Sequence, residues 1–153
     1  MSDTLIAKFS LDDLIRILQQ AGYRVETVTG SEPGAAHLRS ATGGVMFEIR
    51  PGNRLADSGD FVDAMIVAAV KMEGNLPLEM VNRWNATRRF ARLQFGESFL
   101  MLTQDISVIG GVSADHLRGQ IEIWDHLVQQ LIGYLREELP KLTQAPSLQT
   151  VVS

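Results

Sequence analysis

The chain contains no cysteine. That single absence excludes disulfides, thiolate nucleophiles and cysteine-ligated zinc together. It also suits a reducing compartment. No run of 18 apolar residues occurs, so no segment is expected to span a membrane. Met1 to Phe9 has neither the basic stretch nor the apolar centre of a signal peptide, and a cytoplasmic location is expected. Neither charge sign dominates: 14 Lys and Arg stand against 18 Asp and Glu, a net −4. That balance argues against nucleic-acid binding, where a strongly basic domain is the rule.

Reaction chemistry is equally scarce. There are three histidines, His37, His116 and His126. Glu122 and His126 lie four apart, share a helix face and can ligate one ion, but a zinc site takes three or four protein ligands. A surface ion pair is the expected use of that spacing. Asp125 adjoins His126, yet adjacent helix residues do not face each other. The helical serines fall at caps, and none has a visible triad partner. Gly43-Gly44 and Gly110-Gly111 lack the Gly-Lys-Ser/Thr or G-x-G-x-x-G continuation of a phosphate loop and read as turns. No internal repeat is present. No catalytic, cofactor-binding or metal residue is assigned, and a non-enzymatic protein is expected.

What is present is a core-forming pattern. Apolar residues make up 45 % of the 153 and charged residues 21 %, enough for one domain with a real core. Phe9-Ser10-Leu11-Asp12-Asp13-Leu14 reads as a helix start, with Ser10 and Asp13 as a capping box and Phe9 and Leu14 as a staple. Leu11, Leu14, Ile15 and Leu18 form its apolar stripe, and Gly22 ends it. Strands are predicted over Tyr23 to Thr29, His37 to Thr42 and from Val45 through Arg50, the last two joined at Gly43-Gly44. Ala64 to Met72 is apolar without alternation and is assigned as a strand buried on both faces. Asn75 is expected to cap the next helix, with Pro77 in its first turn and its end near Ala86.

Two further strands, Arg89 to Phe95 and Phe99 to Val108, flank a tight turn at Gly96-Glu97-Ser98. Ser113 caps a long last helix whose stripe includes Leu117, Ile121, Trp124, Val128, Leu131 and Leu135. Gly133 suggests a kink or a close backbone approach, and Pro140 is expected to stop the helix. The order is α-β-β-β-β-α-β-β-α, an α+β fold with an antiparallel sheet, in one domain over 1–140 followed by a flexible tail over 141–153.

One segment is dense in groups that make specific contacts: Val81-Asn82-Arg83-Trp84-Asn85-Ala86-Thr87-Arg88-Arg89-Phe90-Ala91-Arg92-Leu93. Cations interleaved with Trp84 and Phe90 fit single-stranded nucleic acid. Helix geometry works against that reading. At about 100° per residue, Arg83 and Arg88 point in different directions. The structural reading places Trp84 in the core, has Asn82 or Asn85 cap backbone groups at the helix end, and pairs Arg92 with Asp105. Arg83, Arg88 and Arg89 then remain for a partner surface, where Arg and aromatic anchors are favoured. On the strand from Phe99, Phe99, Met101, Thr103 and Asp105 share one face, while Leu100, Leu102, Gln104 and Ile106 share the other. Both faces are apolar, so one packs on helices and the other suggests a subunit contact.

Trp84-Asn85-Ala86-Thr87-Arg88-Arg89-Phe90-Ala91-Arg92 resembles the W-N-x-T-[KR]-R-F-[AG]-R signature of the YbjN family of bacterial proteins. Leu102 to Val112, with Asp105, Gly110 and Gly111, is similar to that family's L-x-x-D-x-x-x-x-G-G-V segment, and the stretch through Trp124 resembles its closing helix. The resemblance implies a fold like that of type III secretion chaperones, often dimeric, with a sensory-transduction regulatory role and no established catalytic residues. The turn at Gly96-Glu97-Ser98 is shorter and less acidic than the family's. The expected function is therefore a protein-binding regulator or chaperone-like adaptor, forming a homodimer and engaging an unknown protein partner, with no cofactor, nucleic acid or membrane. A small-ligand or enzymatic site lined by Trp84, Arg92 and Asp105 is the alternative.

Overall fold

The computed structural model describes residues 4–32 and 35–143. Its elements follow the expected order: α1 (Leu11–Gln20), β1 (Glu26–Val28), β2 (His37–Thr42), β3 (Val45–Pro51), β4 (Asp63–Lys71), α2 (Leu78–Thr87), β5 (Ala91–Gly96), β6 (Phe99–Ser107) and α3 (Ala114–Thr143). The strands form one sheet in the order β1-β2-β3-β4-β6-β5, with every neighbouring pair antiparallel. α2 thus carries the chain past the place that β6 later fills between β4 and β5.

Register gives the sheet two different faces. Leu38, Ile49, Ile66 and Gln104 follow one another across β2, β3, β4 and β6, and Ala68, Leu102 and Leu93 follow across β4, β6 and β5. These residues are buried, in one core with Leu14 and Leu18 of α1, Met80, Val81 and Trp84 of α2, and Leu117, Ile121, Trp124, Val128 and Leu131 of α3. Trp124 meets Phe47 edge-on at 5.6 Å between ring centroids, and Phe47 meets Tyr23 at 5.8 Å. Gln104 is 1 % exposed and donates to the Gln120 carbonyl at 2.9 Å. That bond offsets part of the cost of burying an amide. Among the described residues, the helices' buried side chains join the core on this face alone.

Local chemistry accounts for the ends of the elements. Ser10 accepts from the Asp13 backbone N–H at 3.1 Å, and the Asp13 carboxylate accepts from the Ser10 N–H at 2.9 Å. Phe9 and Leu14 are both buried beside this capping box. The Ser113 hydroxyl accepts from the His116 N–H at 3.0 Å and starts α3. The β2–β3 hairpin turns on Gly43-Gly44, and the β5–β6 hairpin on Glu97 and Ser98, both at positive φ.

Several expectations change. β1 covers three residues, because Tyr23 turns into the core against Phe47 and the buried Ser40 hydroxyl donates to the Arg24 carbonyl at 2.7 Å. β4 is a strand, but it is not covered on both faces: Ala64, Ile66 and Ala68 are buried, while Met65 and Val67 are only partly so and Ala69 is exposed. Asn75 does not cap α2. Pro77 holds the N-cap position at φ −63° without a side-chain bond, and its carbonyl accepts from the Met80 N–H at 3.0 Å. Asn75, two residues upstream, is too early in the chain for that role.

Pro140 does not stop α3, which runs three residues beyond it to Thr143. A proline removes one helical bond and crowds the carbonyl four residues back. Here the last turn is held by Leu139 and Leu142 against the core and by Lys141 paired with Glu138 at 2.8 Å. Gly133 is exposed, and a Cβ there would meet nothing within 4 Å, so no close backbone approach requires it. The part of the expected tail over 144–153, and residues 33–34 of the β1–β2 loop, lie outside the described residues.

Trp84 is fully buried. Trp84→Ala is expected to lower stability by about 3–5 kcal/mol, measured by chemical denaturation. Unchanged stability would contradict a core role.

Candidate functional site

The last turn of α2 and the first residues of β5 form a joint in which each side chain has a different task. Trp84 meets Tyr134 of α3 edge-on at 5.5 Å. The Arg88 guanidinium lies over both rings, 4.2 Å from the Trp84 centroid and 4.9 Å from Tyr134, and Arg88 Nε donates to Gln130 Oε1 at 3.1 Å. Such cation–π contacts gain strength when desolvated. Tyr134 Oη donates to the Met80 carbonyl at 2.6 Å. α2 is thereby bound to α3 through rings, a cation and a hydrogen bond at once.

Asn85 ties the same helix to the sheet. Its Nδ2 donates to the Leu93 carbonyl at 3.0 Å, and its Oδ1 accepts from the Leu93 N–H at 2.8 Å. A side-chain amide thus repeats the pairing a neighbouring strand would make. β5 is the last strand of the sheet, and an open strand edge is a template for another chain. Asn85 occupies that edge at Leu93. Trp84 Nε1 points at the Ala91 carbonyl, a long 3.4 Å contact on the same edge. The expected cap at the helix end is therefore a clamp on a strand. Asn82 is exposed, and no hydrogen bond of its side chain is found among the described residues.

The four arginines separate. Arg83 pairs with Glu138 and stands 3.6 Å from Glu79, so it joins α2 to α3 rather than facing a partner. Hydrogen bonding by Lys141 and by Arg83, against some burial, holds the Glu138 carboxyl below its ordinary range. Arg88 is committed to the ring stack. Arg89 is exposed and has no carboxylate partner among the described residues. Arg92 pairs with Asp105 at 2.9 Å as expected, but with side chains 52 % and 66 % exposed the pair is a surface one, worth about 0–1 kcal/mol.

Phe90 does not join the strand. It sits at φ +76° with its ring 63 % exposed. For a bulky residue that backbone is an outlier costing roughly 1–3 kcal/mol. Gly110 and Gly111, at φ +85° and +91°, occupy the same region freely. Trp124 is core.

The proposed cleft of Trp84, Arg92 and Asp105 is not formed. Ala91 and Leu93 face the core, which puts Arg92 on the opposite side of the sheet from buried Trp84. Two other features stand apart from that cleft. One is a groove of about 530 Å³ between residues 87–90 and α3, lined by Arg88, Arg89, Phe90, Gly119, Glu122, Ile123, His126 and Leu127. The sequence pointed to each side separately, Arg88 and Arg89 as candidates for a partner surface and the Glu122–His126 spacing as one helix face, but not to their meeting.

The other feature is the helix-free face of the sheet. Arg39, Glu48, Val67, Thr103 and Arg92 form one row across five strands, and Arg50, Met65 and Asp105 form the next. A depression of about 460 Å³ lies there against Met46, Met65, Val67, Ala69 and Met101. At one flank His37 Nε2 lies 3.1 Å from Glu48 Oε2, and Arg50 Nη2 lies 2.7 Å from Glu48 Oε1. Partial burial opposes the charge on Glu48, but Arg50 and His37 hold its carboxyl below the ordinary value. Among the described residues no group of three or more His, Asp or Glu is placed to hold a metal ion, and no helix is long and apolar enough to cross a membrane.

Asn85→Ala removes both bonds to Leu93. A loss of about 1–3 kcal/mol is expected, with faster hydrogen exchange at the Leu93 amide; unchanged exchange would refute the clamp. A second test uses Glu138. Its lowered native value means its contribution is full above the unfolded pKa, about 4.3, and is lost as pH falls through the native one. Glu138→Gln should therefore flatten the decline of Tm below about pH 4.5 relative to the unsubstituted chain. Parallel declines would contradict the pairing.

No curated protein compared with the chain matches it. The profile of the YbjN family, described as "Putative bacterial sensory transduction regulator", matches residues 10–137. That span holds the Trp84–Arg92 joint, the sheet and most of α3, and the chain belongs to the YbjN family.

Proposed function

We propose that this chain is a non-enzymatic, cytoplasmic protein-binding module, a regulator or chaperone-like adaptor that works as a homodimer through the helix-free face of its sheet. Membership of a family of sensory-transduction regulators is consistent with a regulatory role. The observation that carries the binding reading is the face itself. Its centre is apolar, formed by Met46, Met65, Val67, Ala69 and Met101, and Met46 is 58 % exposed. Apolar surface of this kind, rimmed by polar groups, marks an interaction site.

A second copy fits this face by symmetry and charge. A two-fold contact places the same patch on both subunits. The rim at β2–β3 carries Arg39, Glu48 and Arg50, and the rim at β5–β6 carries Arg92 and Asp105. Each rim holds both signs, so stacking two copies need not oppose like charges. Capture by strand addition is disfavoured at both ends of the sheet. Asn85 occupies the β5 edge, and β1 is only three residues long.

Light scattering after size exclusion should give twice the chain mass for the unsubstituted protein. Val67→Glu with Met101→Glu should give the single-chain mass with the native circular dichroism spectrum retained, because those side chains face away from the core. Any fall in Tm should be that expected from loss of association. A monomeric unsubstituted chain at about 100 µM, well above a micromolar dissociation constant, would refute the dimer. Affinity purification from the native host, followed by mass spectrometry, tests the adaptor role. A measured catalytic turnover with no specific partner recovered would overturn it.

A further inference from the structure

We propose that the groove between the α2–β5 joint and α3 binds an extended peptide segment of a partner protein in which an Asp or Glu is followed closely by a large apolar side chain. This deepens the protein-binding reading and rests on it. The groove lies on the helix side of the molecule, away from the sheet face assigned to the second copy.

Charge selects the acidic residue. Arg88 and Arg89 are adjacent at one end of the groove, and neither has a carboxylate within ion-pair distance among the described residues. Elsewhere Arg16, Arg39, Arg50, Arg83 and Arg92 each have one. Arg24, Arg118 and Arg136 have none among the described residues, but only Arg88 and Arg89 stand side by side in one groove. Glu122 lines the same groove yet pairs with neither cation. On a chain of net charge −4, two unneutralised guanidiniums side by side are a local reversal of sign. Arg88 is already held over Trp84 and Tyr134 and bonded to Gln130, so little of its freedom remains to be lost on binding. Arg88 Nη1 is also bonded to Thr87 Oγ1 at 3.2 Å. The guanidinium fork left for a carboxylate is therefore that of Arg89, which has no hydrogen bond among the described residues.

Shape selects the apolar residue. The left-handed backbone at Phe90 turns the ring into solvent beside the groove instead of onto the sheet. Gly119, Ile123 and Leu127 follow one another at spacings of four along the face of α3 that lines the groove, and Gly119 leaves room there: a Cβ would meet nothing within 4 Å. Exposed aromatic and Arg side chains beside a pocket are the usual anchors of a protein contact. About 530 Å³ holds one large side chain and its neighbouring backbone.

The test uses the full chain and an array of octapeptides. Each carries one Asp or Glu and, one to three positions later, Leu, Ile or Phe; controls replace the acid by Lys or the apolar residue by Ser. Binding is read by fluorescence anisotropy. Acid-plus-apolar peptides should bind with dissociation constants below about 1 mM, and either control change should weaken binding at least about tenfold, equivalent to 1.4 kcal/mol. Arg89→Glu should reverse the preference toward the Lys peptides. Gly119→Leu should abolish binding with Tm no lower, since leucine favours helix and the site has room. Arg24→Glu, at an exposed arginine outside the groove, should leave peptide binding unchanged.

Equal binding of acid and Lys peptides, or full binding by a folded Gly119→Leu chain, would overturn the proposal. So would octanoate binding as tightly as the peptides, which would assign the groove to a small carboxylate. If the partner recovered from the host by the unsubstituted chain is recovered equally by Arg89→Glu and Gly119→Leu, the protein-binding reading stands and this groove is not its site.

Discussion

Trp84, Arg88 and Tyr134 form the contact on which the other features of the molecule depend. The indole is buried where α2, α3 and β5 converge, the tyrosine meets it edge-on, and the guanidinium covers both rings. α2 is ten residues long, short for a helix in isolation. It is held by packing, and this stack is the packing. With Trp84 inward, helix geometry puts Asn85 against the edge of β5 and Arg83 toward Glu138. The backbone then leaves the helix at Arg88 in an extended conformation, and one residue at positive φ, Phe90, brings it into β5. Residues 83–92 therefore form a mechanical joint in this chain, in which an interhelical ion pair, a core anchor and an edge clamp occupy three consecutive residues of one helix, Arg83, Trp84 and Asn85.

That joint also determines which surfaces remain for other molecules. The Asn85 clamp occupies the sheet edge at Leu93, where an unpaired strand would otherwise bond, and does so with one side chain rather than an extra strand. The cost of this arrangement is one strained residue, which exposes an aromatic ring beside two cations with no carboxylate partner. The sheet, meanwhile, has helices on one face. Its other face has an apolar centre and a charged rim of mixed sign. Clamped edge, open face and cationic groove divide the surface into parts with distinct physical character.

Much of the architecture was legible because it is local. The Ser10–Asp13 box, the Gly43-Gly44 turn, the alternation of Val45, Phe47 and Ile49, and the Ser113 cap each involve residues within a few positions of one another, and each occurs in the structure as expected. Arg92 and Asp105 could be paired in advance only as opposite charges on a largely apolar face; the hairpin register sets Arg92 opposite Thr103, and the pair forms diagonally. The misreadings were of a different kind. Asn75 and Pro140 are cap and breaker by propensity, but α2 begins late enough for Pro77 to hold the cap position, and the Leu139–Leu142 turn packs on the core past Pro140. Ala64 to Met72 reads as buried on both faces because apolar composition reports what a side chain prefers, not whether anything covers it.

By itself the sequence determined the class of fold, the order of its elements, the buried Trp84 and the family, since periodicity, caps and a spaced signature are properties of neighbouring residues. Only the tertiary structure decided that Asn85 clamps Leu93, that Arg83 is committed to Glu138, that Trp84 and Arg92 lie on opposite sides of the sheet, and that residues 87–90 face Gly119 and His126 across a groove. Each of these depends on where a helix comes to rest against a strand or another helix. That position follows from the summed burial of many side chains, and no short stretch of the chain contains it.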